Sequence, residues 1–191
     1  MYNIDQEFID CLRDDGYDLW TIGLWENWLT RVPDLVEAGK IVRENFQDVR
    51  LGDGIGLLEA NGLDNYAAES ELEKLRQQDE RNSWQRIDVL LLNRYHSAPS
   101  FFDARGFVFH LPAFLLAELN DQHEYGFIDR IIQKRPKTGS WIDLLTPRQA
   151  SALIAVLSIV QHHPDYIDQQ KKFEHAINRF AKIVEDAQNT G

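Results

Sequence analysis

The segment from Ser100 to Leu119 constrains the fold of this chain more than any other segment. It combines a long apolar run with large aromatic rings at Phe101, Phe102, Phe107 and Phe109. Burial of one such ring stabilises a protein by roughly 1.5–3 kcal/mol, so a fold that left these rings in water would be unstable. We therefore expect this segment to form the centre of a hydrophobic core rather than a reaction centre.

The polar and small residues inside this central segment predict its local structure. Asp103–Gly106 has Asp at the first position and Gly at the last position of a type I turn. Phe107–His110 alternates large and smaller side chains, which indicates a short extended segment. Pro112 has no N–H to lose at a first helical position, so we expect a helix to begin there and to end at Asn120.

Helical patterns recur along the rest of the chain, whereas strand patterns are scarce. A chain of 191 residues, of which 43% are hydrophobic, is long enough to bury a core without a metal or a disulfide. We predict an all-α fold, a single-domain irregular helical array over residues 1–191 with one short extended segment near Phe107.

Residues 67–81 are rich in charge and are expected to form a surface helix of this domain. Two pairs of opposite charge stand three positions apart and should face each other on that helix. They are Glu71 with Lys74 and Glu73 with Arg76.

Two further helices have clear boundaries in the sequence. Pro33 suits the first turn of one of them. The apolar face of that helix is Leu35, Ala38, Val42 and Phe46. Thr146 can cap the other helix, with Pro147 at its first position and Gln149 reaching back to the cap. The sequence KRPKTG at residues 134–139 predicts a basic loop before that cap.

Cys11 is the only cysteine, so no disulfide can form within the chain. It falls at helical spacing with Ile4, Phe8 and Leu12. We therefore predict a helix over residues 3–14 and a buried, unreactive thiol.

The charge of the chain limits the classes of partner. The 20 basic and 31 acidic residues give a formal net charge of −11. Nucleic acids and anionic membrane surfaces attract cationic proteins, so we expect neither as a partner. The first eight residues lack the basic flank and apolar run of a signal peptide, and no apolar run approaches the length of a membrane span. These features predict a cytoplasmic protein, and the charge favours a basic protein partner.

A glycine-rich stretch, Arg50–Tyr66, does not fit the nucleotide-binding motifs. Gly52, Gly54 and Gly56 are spaced two apart. The dinucleotide fingerprint G-x-G-x-x-G instead places its third glycine three positions after the second, and it follows a strand. The Gly-Lys-Ser/Thr of a P-loop is also absent. We expect a loop, a short helix and a turn, and we predict no cofactor.

No spacing of reactive residues predicts catalysis or a metal site. His123-Glu124 begins a zincin-like pattern, but Phe127 occupies the position of the second ligand. His162 and His163 are adjacent and would point to different faces of a helix. We therefore predict no catalytic residue and no metal, and we favour a protein that is not an enzyme.

Asp103, Arg105 and His110 are the polar groups of the central segment and are candidate binding residues. One interpretation is structural: a turn cap, an exposed basic residue and a polar group at a helix start. The other is that the three side chains line a pocket against the aromatic rings, where their titration would be perturbed.

A tryptophan-rich segment, residues 17–30, supplies the other candidate binding residues, Trp25 and Trp28. Trp20 and Trp25 would lie about 140° apart on a helix, so the rings cannot all face one core. Tryptophan often dominates the binding energy at interface centres. We therefore expect part of this segment to contact an unknown protein partner, with a basic protein favoured, or a second copy of the chain.

The central segment also resembles an uncharacterised bacterial family, the domain of unknown function numbered 6714. The resemblance rests on Ser-Phe-Phe-Asp-Ala-x-Gly-x-x-Phe-x-Leu-Pro-Ala-Phe-Leu at Ser100–Leu115. Weaker similarities are Asp48–Ile55, Trp84 with Ile87 and Leu92-Asn93, and Leu145-Thr146-Pro147-x-Gln149. Together, these similarities cover roughly residues 46–160. The resemblance implies a bacterial intracellular protein and brings no known activity, substrate or cofactor.

The sequence leaves three hypotheses for function. The first is a non-catalytic, acidic protein-interaction module. The second is an immunity protein that neutralises a toxin, since a small acidic protein complements a basic target. The third is a hydrolase or metal enzyme whose site is assembled from separate segments.

Overall fold

A computed structural model describes residues 1–133 and 141–189. These residues contain ten α-helices, and no strand occurs among them, which confirms the all-α prediction. The α-helices are α1 (Gln6–Asp14), α2 (Leu19–Leu29), α3 (Val32–Phe46), α4 (Leu57–Asp64), α5 (Glu69–Gln78), α6 (Val89–Arg94), α7 (Ala104–Leu119), α8 (Ile128–Ile132), α9 (Pro147–Val160) and α10 (Gln170–Asn189). Short 3₁₀ helices cover Trp84–Arg86, Ala98–Ser100, Trp141–Leu144 and Pro164–Gln169. The basic loop predicted at residues 134–139 lies outside the described residues.

Helix α7 is the most deeply buried element of the described chain. Every residue from Gly106 to Leu119 is buried. The core around it places Phe107 against Trp141 at 4.7 Å and Phe114 against Phe127 at 5.0 Å between ring centroids. The prediction that this segment is the centre of the core is therefore confirmed.

The predicted turn and extended segment at the start of α7 are wrong. The chain is helical from Ala104 onward, through the residues near Phe107, and Pro112 lies inside the helix rather than at its start. A helix that is buried on all sides is apolar on all sides, so its sequence loses the period of 3.6 residues. Four such residues that alternate in size then resemble a strand.

Helices α3, α9 and α10 form a packed layer that meets α7 through α3. α9 packs against both α3 and α10, and α3 packs against α7. The predicted face of α3 is confirmed, because Leu35, Ala38, Val42 and Phe46 are all buried. None of the described helices is long and apolar enough to cross a membrane.

The predicted start of α9 is also confirmed. Gln149 N–H donates to Thr146 Oγ1 at 3.2 Å, and Thr146 N–H donates to Gln149 Oε1 at 2.9 Å. These two hydrogen bonds satisfy backbone donors that the first turn of a helix otherwise leaves without partners.

The first helix differs from its prediction. α1 begins at Gln6, and its buried residues are Ile9 and Leu12, whereas Cys11 is exposed. Cys11 lies about 100° around the helix from Leu12, which is enough to turn its thiol away from the core. The predicted burial of this thiol is therefore wrong.

The surface helix predicted within residues 67–81 is α5, whose only buried residue is Leu72. Lys74 pairs with Glu71 at 3.5 Å, as the spacing predicted. Arg76 instead pairs with Glu59 of α4 at 2.6 Å. The carboxylate of Glu59 is buried, so it offers a better-placed partner than a surface glutamate of the same helix.

Candidate functional site

The glycine-rich loop that precedes α4 packs against the first turn of α7. A Cβ atom at Gly106 would lie 2.3 Å from the carbonyl oxygen of Ile55, and one at Gly54 would lie 2.8 Å from Arg105 Cβ. Only residues without a Cβ permit so close an approach of two backbones. The glycines therefore serve packing between two segments that are about 50 residues apart in the sequence.

Asp103 joins these two segments. Its Oδ1 accepts a hydrogen bond from Gly106 N–H at 2.7 Å, which caps α7, and another from Ile55 N–H at 3.0 Å. One carboxylate oxygen thus satisfies two backbone donors. The position of Asp103 supports the structural interpretation of this residue.

Arg105 is exposed and lies on the outer side of the same turn. Its guanidinium forms an ion pair with the carboxylate of Asp53 in the glycine-rich loop. The Arg105 side chain also lines a groove of about 310 Å³. The other residues that line this groove are Val49, Arg50, Leu51, Gly52, Val108, Leu144, Thr146 and Gln149.

His110 lies in the core, away from that groove. It is 1% exposed, its ring stacks on Phe102 at 4.3 Å, and its Nδ1 is 2.7 Å from the carbonyl oxygen of Gly106. Burial lowers the pKa of His110 to about 4, so the ring is neutral at pH 7. The structure therefore does not bring Asp103, Arg105 and His110 together in one pocket.

Two residues that no sequence pattern identified, Asp79 and Arg81, also hydrogen-bond to the glycine-rich loop and to the start of α4. Asp79 accepts hydrogen bonds from Leu58 N–H at 2.7 Å and Glu59 N–H at 3.1 Å, and so caps α4 from a distance. Arg81 donates to the carbonyl oxygens of Gly52 and Gly54. No local pattern could have identified these contacts, because about 20 to 30 residues separate the partners.

The three tryptophans of the second candidate region have different environments. Trp28 is fully buried, and its Nε1–H donates to the carbonyl oxygen of Tyr2 at 2.8 Å. Trp25 is half-buried and packs edge-on against Phe8 and His163. Trp20 is 66% exposed. The structure therefore places Trp28 in the core and leaves Trp20 as the exposed ring.

Trp20 belongs to an apolar surface at the start of α2, which we call the Trp20 surface. It consists of Tyr17, Leu19, Trp20 and Gly23, and Leu19 is 87% exposed. No atom lies within 4 Å of a Cβ built at Gly23, so the helix face beside Trp20 is open.

Acidic residues flank the Trp20 surface in the sequence. Asp14, Asp15, Asp18 and Glu26 are all exposed. The Asp18 carboxylate caps α2 by accepting hydrogen bonds from Trp20 N–H and Thr21 N–H. It also accepts a hydrogen bond of 2.7 Å from the Thr21 hydroxyl, and this bond, followed by the backbone bonds, lowers the pKa of Asp18. Arg13 forms ion pairs with Glu26 and Asp10. The region combines apolar contact area with negative charge.

Within residues 1–133 and 141–189, no three His, Cys, Asp or Glu side chains come together as a metal site would require. The buried carboxylate of Glu118 is engaged by protein groups instead. It accepts hydrogen bonds from the Tyr2 hydroxyl at 2.8 Å and from Ile128 N–H at 2.8 Å.

The model of a protein family matches residues 34–184. The chain belongs to DUF6714, a family of unknown function. The groove and the glycine-rich loop lie inside the DUF6714 match, whereas α1 and the Trp20 surface on α2 precede it. No curated protein and no solved structure matches the chain.

Proposed function

We propose that this DUF6714 protein is a non-catalytic interaction module that binds a basic protein partner through the Trp20 surface. The observation that carries the proposal is the exposure of Trp20 and Leu19 on the first turn of a capped helix. Large apolar side chains that are held in water by a rigid element are typical of protein–protein contacts.

The energetic basis is the large apolar area that a partner would cover. Tryptophan is the residue type most enriched among those whose truncation costs 2 kcal/mol or more of binding energy. The Asp18 cap orders the start of α2 in the free protein. Ordering of this backbone therefore adds little to the entropy cost of binding.

The electrostatic basis is the surrounding negative charge. Asp14 and Asp15 form no ion pair among the described residues, and the net charge of the chain is −11. These groups favour association with a positively charged surface and oppose contact with a second copy of the same chain. Neutralisation of a basic toxin would be one instance of this function.

The test is a quantitative pull-down from the native cell followed by calorimetry with each purified partner. Three single variants are compared with the wild-type chain: Trp20→Ser, Leu19→Ser and Leu90→Ser. Leu90 is a matched control, because it is 71% exposed and also lies in the first turn of a helix capped by an aspartate.

We expect Trp20→Ser to weaken binding by at least about 30-fold, which corresponds to roughly 2 kcal/mol. Leu19→Ser should weaken binding less, Leu90→Ser should leave it unchanged, and added salt should weaken binding to the wild-type chain. A partner that binds all three variants as tightly as the wild type would place the interaction surface elsewhere. If the chain dimerises in a concentration-dependent way and Trp20→Ser abolishes the dimer, the partner is a second copy of the chain rather than a basic protein.

A further inference from the structure

His123 is a buried polar side chain without a partner. It is 9% exposed, and neither ring nitrogen has a hydrogen-bond partner in the described part of the chain. Its ring packs edge-on against Phe114, with 5.2 Å between ring centroids. Buried polar groups are nearly always hydrogen-bonded, because an unsatisfied group costs about 1–3 kcal/mol. An imidazole left in this state is therefore suited to bind something that the protein itself does not supply.

Two further basic side chains, His96 and Arg130, lie near His123. His96 stacks on Tyr125 with 3.8 Å between ring centroids, and the Tyr125 ring lies 6.1 Å from that of His123. Burial, and then the nearby His96 and Arg130, lower the pKa of His123 to about 4. The cluster therefore combines the turn after α6, the loop between α7 and α8, and α8 itself.

The guanidinium of Arg130 also has unused hydrogen-bond donors. It is half-buried, and its guanidinium donates one hydrogen bond, of 3.0 Å, to Ser100 Oγ. No carboxylate lies within ion-pair distance of it among the described residues, whereas Arg13, Arg76 and Arg105 each pair with a carboxylate. Burial of this uncompensated charge lowers the pKa of Arg130. Most donors of its guanidinium fork are therefore available to an anion.

We propose that His96, His123, Arg130 and the Ser100 hydroxyl form a binding site for a phosphate-type oxyanion, either free or as a phosphomonoester. The guanidinium supplies paired N–H donors, the hydroxyl and the imidazoles supply further donors, and the anion neutralises a cluster without carboxylates. Because both His123 nitrogens are covered, neighbouring side chains must shift for the anion to reach them. The site is separate from the Trp20 surface.

The test uses the full chain and NMR signals of the histidine rings. Inorganic phosphate is titrated at constant ionic strength, with chloride as the reference salt, and phenyl phosphate is titrated in parallel. We expect saturable shifts for His96 and His123 but not for the exposed His175. The pKa of His123 should rise on binding, because an anion favours the imidazolium form. Tighter binding of phenyl phosphate than of phosphate would identify a phosphomonoester as the ligand.

Variants then locate the site. Arg130→Gln should weaken phosphate binding at least tenfold, whereas Arg86→Gln, at an exposed arginine, should leave it unchanged. Ser100 and His96 are exposed, so Ser100→Ala and His96→Gln should each weaken binding in a protein that still folds.

Three results would overturn the proposal. The first is the absence of any saturable response to either phosphate compound, which would leave bound water as the partner of His123. The second is unchanged phosphate affinity in Ser100→Ala, His96→Gln and Arg130→Gln. The third is a response of His96 and His123 to Zn²⁺ but not to phosphate, which would make the cluster a metal site.

Discussion

The Tyr2 hydroxyl and the Glu118 carboxylate are joined by a hydrogen bond of 2.8 Å across 116 residues of sequence. Glu118 also accepts from the backbone N–H groups of Phe127 and Ile128 at the start of α8. The carbonyl oxygen of Tyr2 accepts from Trp28 Nε1–H. One buried carboxylate therefore holds the first residues of the chain and the start of α8 against α7, and burial raises the pKa of this carboxyl.

The change Tyr2→Phe should destabilise the protein by roughly 1–3 kcal/mol, because it removes the hydroxyl donor from a buried carboxylate without creating a cavity. The measurement is the urea midpoint by circular dichroism. Tyr66→Phe is the control, because Tyr66 is 95% exposed and its hydroxyl contacts water. Equal midpoints for Tyr2→Phe and the wild type would show that the hydrogen bond contributes nothing to stability.

The change Gly106→Ala should destabilise the protein by about 1–3 kcal/mol, because its Cβ would meet the backbone oxygen of Ile55, which cannot rotate away. Gly23→Ala is the matched change in another helix. No atom lies within 4 Å of a Cβ at Gly23, so this change should stabilise the protein by about 0.5–1 kcal/mol. Thermal denaturation of both variants tests the pair, and destabilisation of similar size by both would refute close packing at Gly106.

The change Phe109→Ala should lower the free energy of unfolding by roughly 3–5 kcal/mol, because the ring is fully buried in the core. Phe102→Ala, at a ring that is also buried, should have an effect in the same range. Phe101→Ala should cost less, because Phe101 is only half-buried. Urea midpoints rank the three variants, and wild-type midpoints for all three would contradict the placement of the core.

The pH dependence of stability should reveal the buried His110. Its pKa falls from the ordinary value of 6.5 to about 4 in the folded protein, so the unfolded chain binds the proton more readily. The contribution of neutral His110 is complete above pH 6.5 and is lost as the pH falls toward 4.

The loss of stability caused by His110→Gln should therefore be largest at pH 7 and smaller by about 2 kcal/mol at pH 4.5. Asp79 and Glu118 have raised pKa values and act in the opposite direction. Both proteins contain these carboxyls, so their effects cancel in the difference. Urea titrations from pH 4.5 to 7 test this, with His175→Gln as the exposed control. A difference that does not vary with pH would show that His110 titrates normally.

Much of the local structure was accessible from the sequence alone. The Pro33 start, the four-residue apolar face of α3 and the capping box at Thr146 were all predicted and found. Each of these signals consists of residues within one or two helical turns of one another. Such signals depend on helix geometry and on backbone N–H donors that lie close to the signal residues in the sequence.

The candidate sites could be predicted only in part from the sequence. The tryptophan-rich helix was predicted to carry its rings on more than one face, with Trp25 and Trp28 as candidate binding residues, but its exposed ring is Trp20. Which ring is buried depends on the contact of Trp28 with Tyr2, which lies 26 residues earlier. The His123 cluster had no signal, because its groups come from three separate segments.

The sequence by itself thus determined the all-α class, the starts of α3 and α9, and the burial of the central segment. The tertiary structure decided that α7 is helical through Phe107, that Cys11 faces outward, and that Asp79 caps α4. The physical reason is the range of the interactions. Helix propensity and local capping act between neighbours in the chain, whereas burial and distant hydrogen bonds depend on which segments meet after the chain has folded.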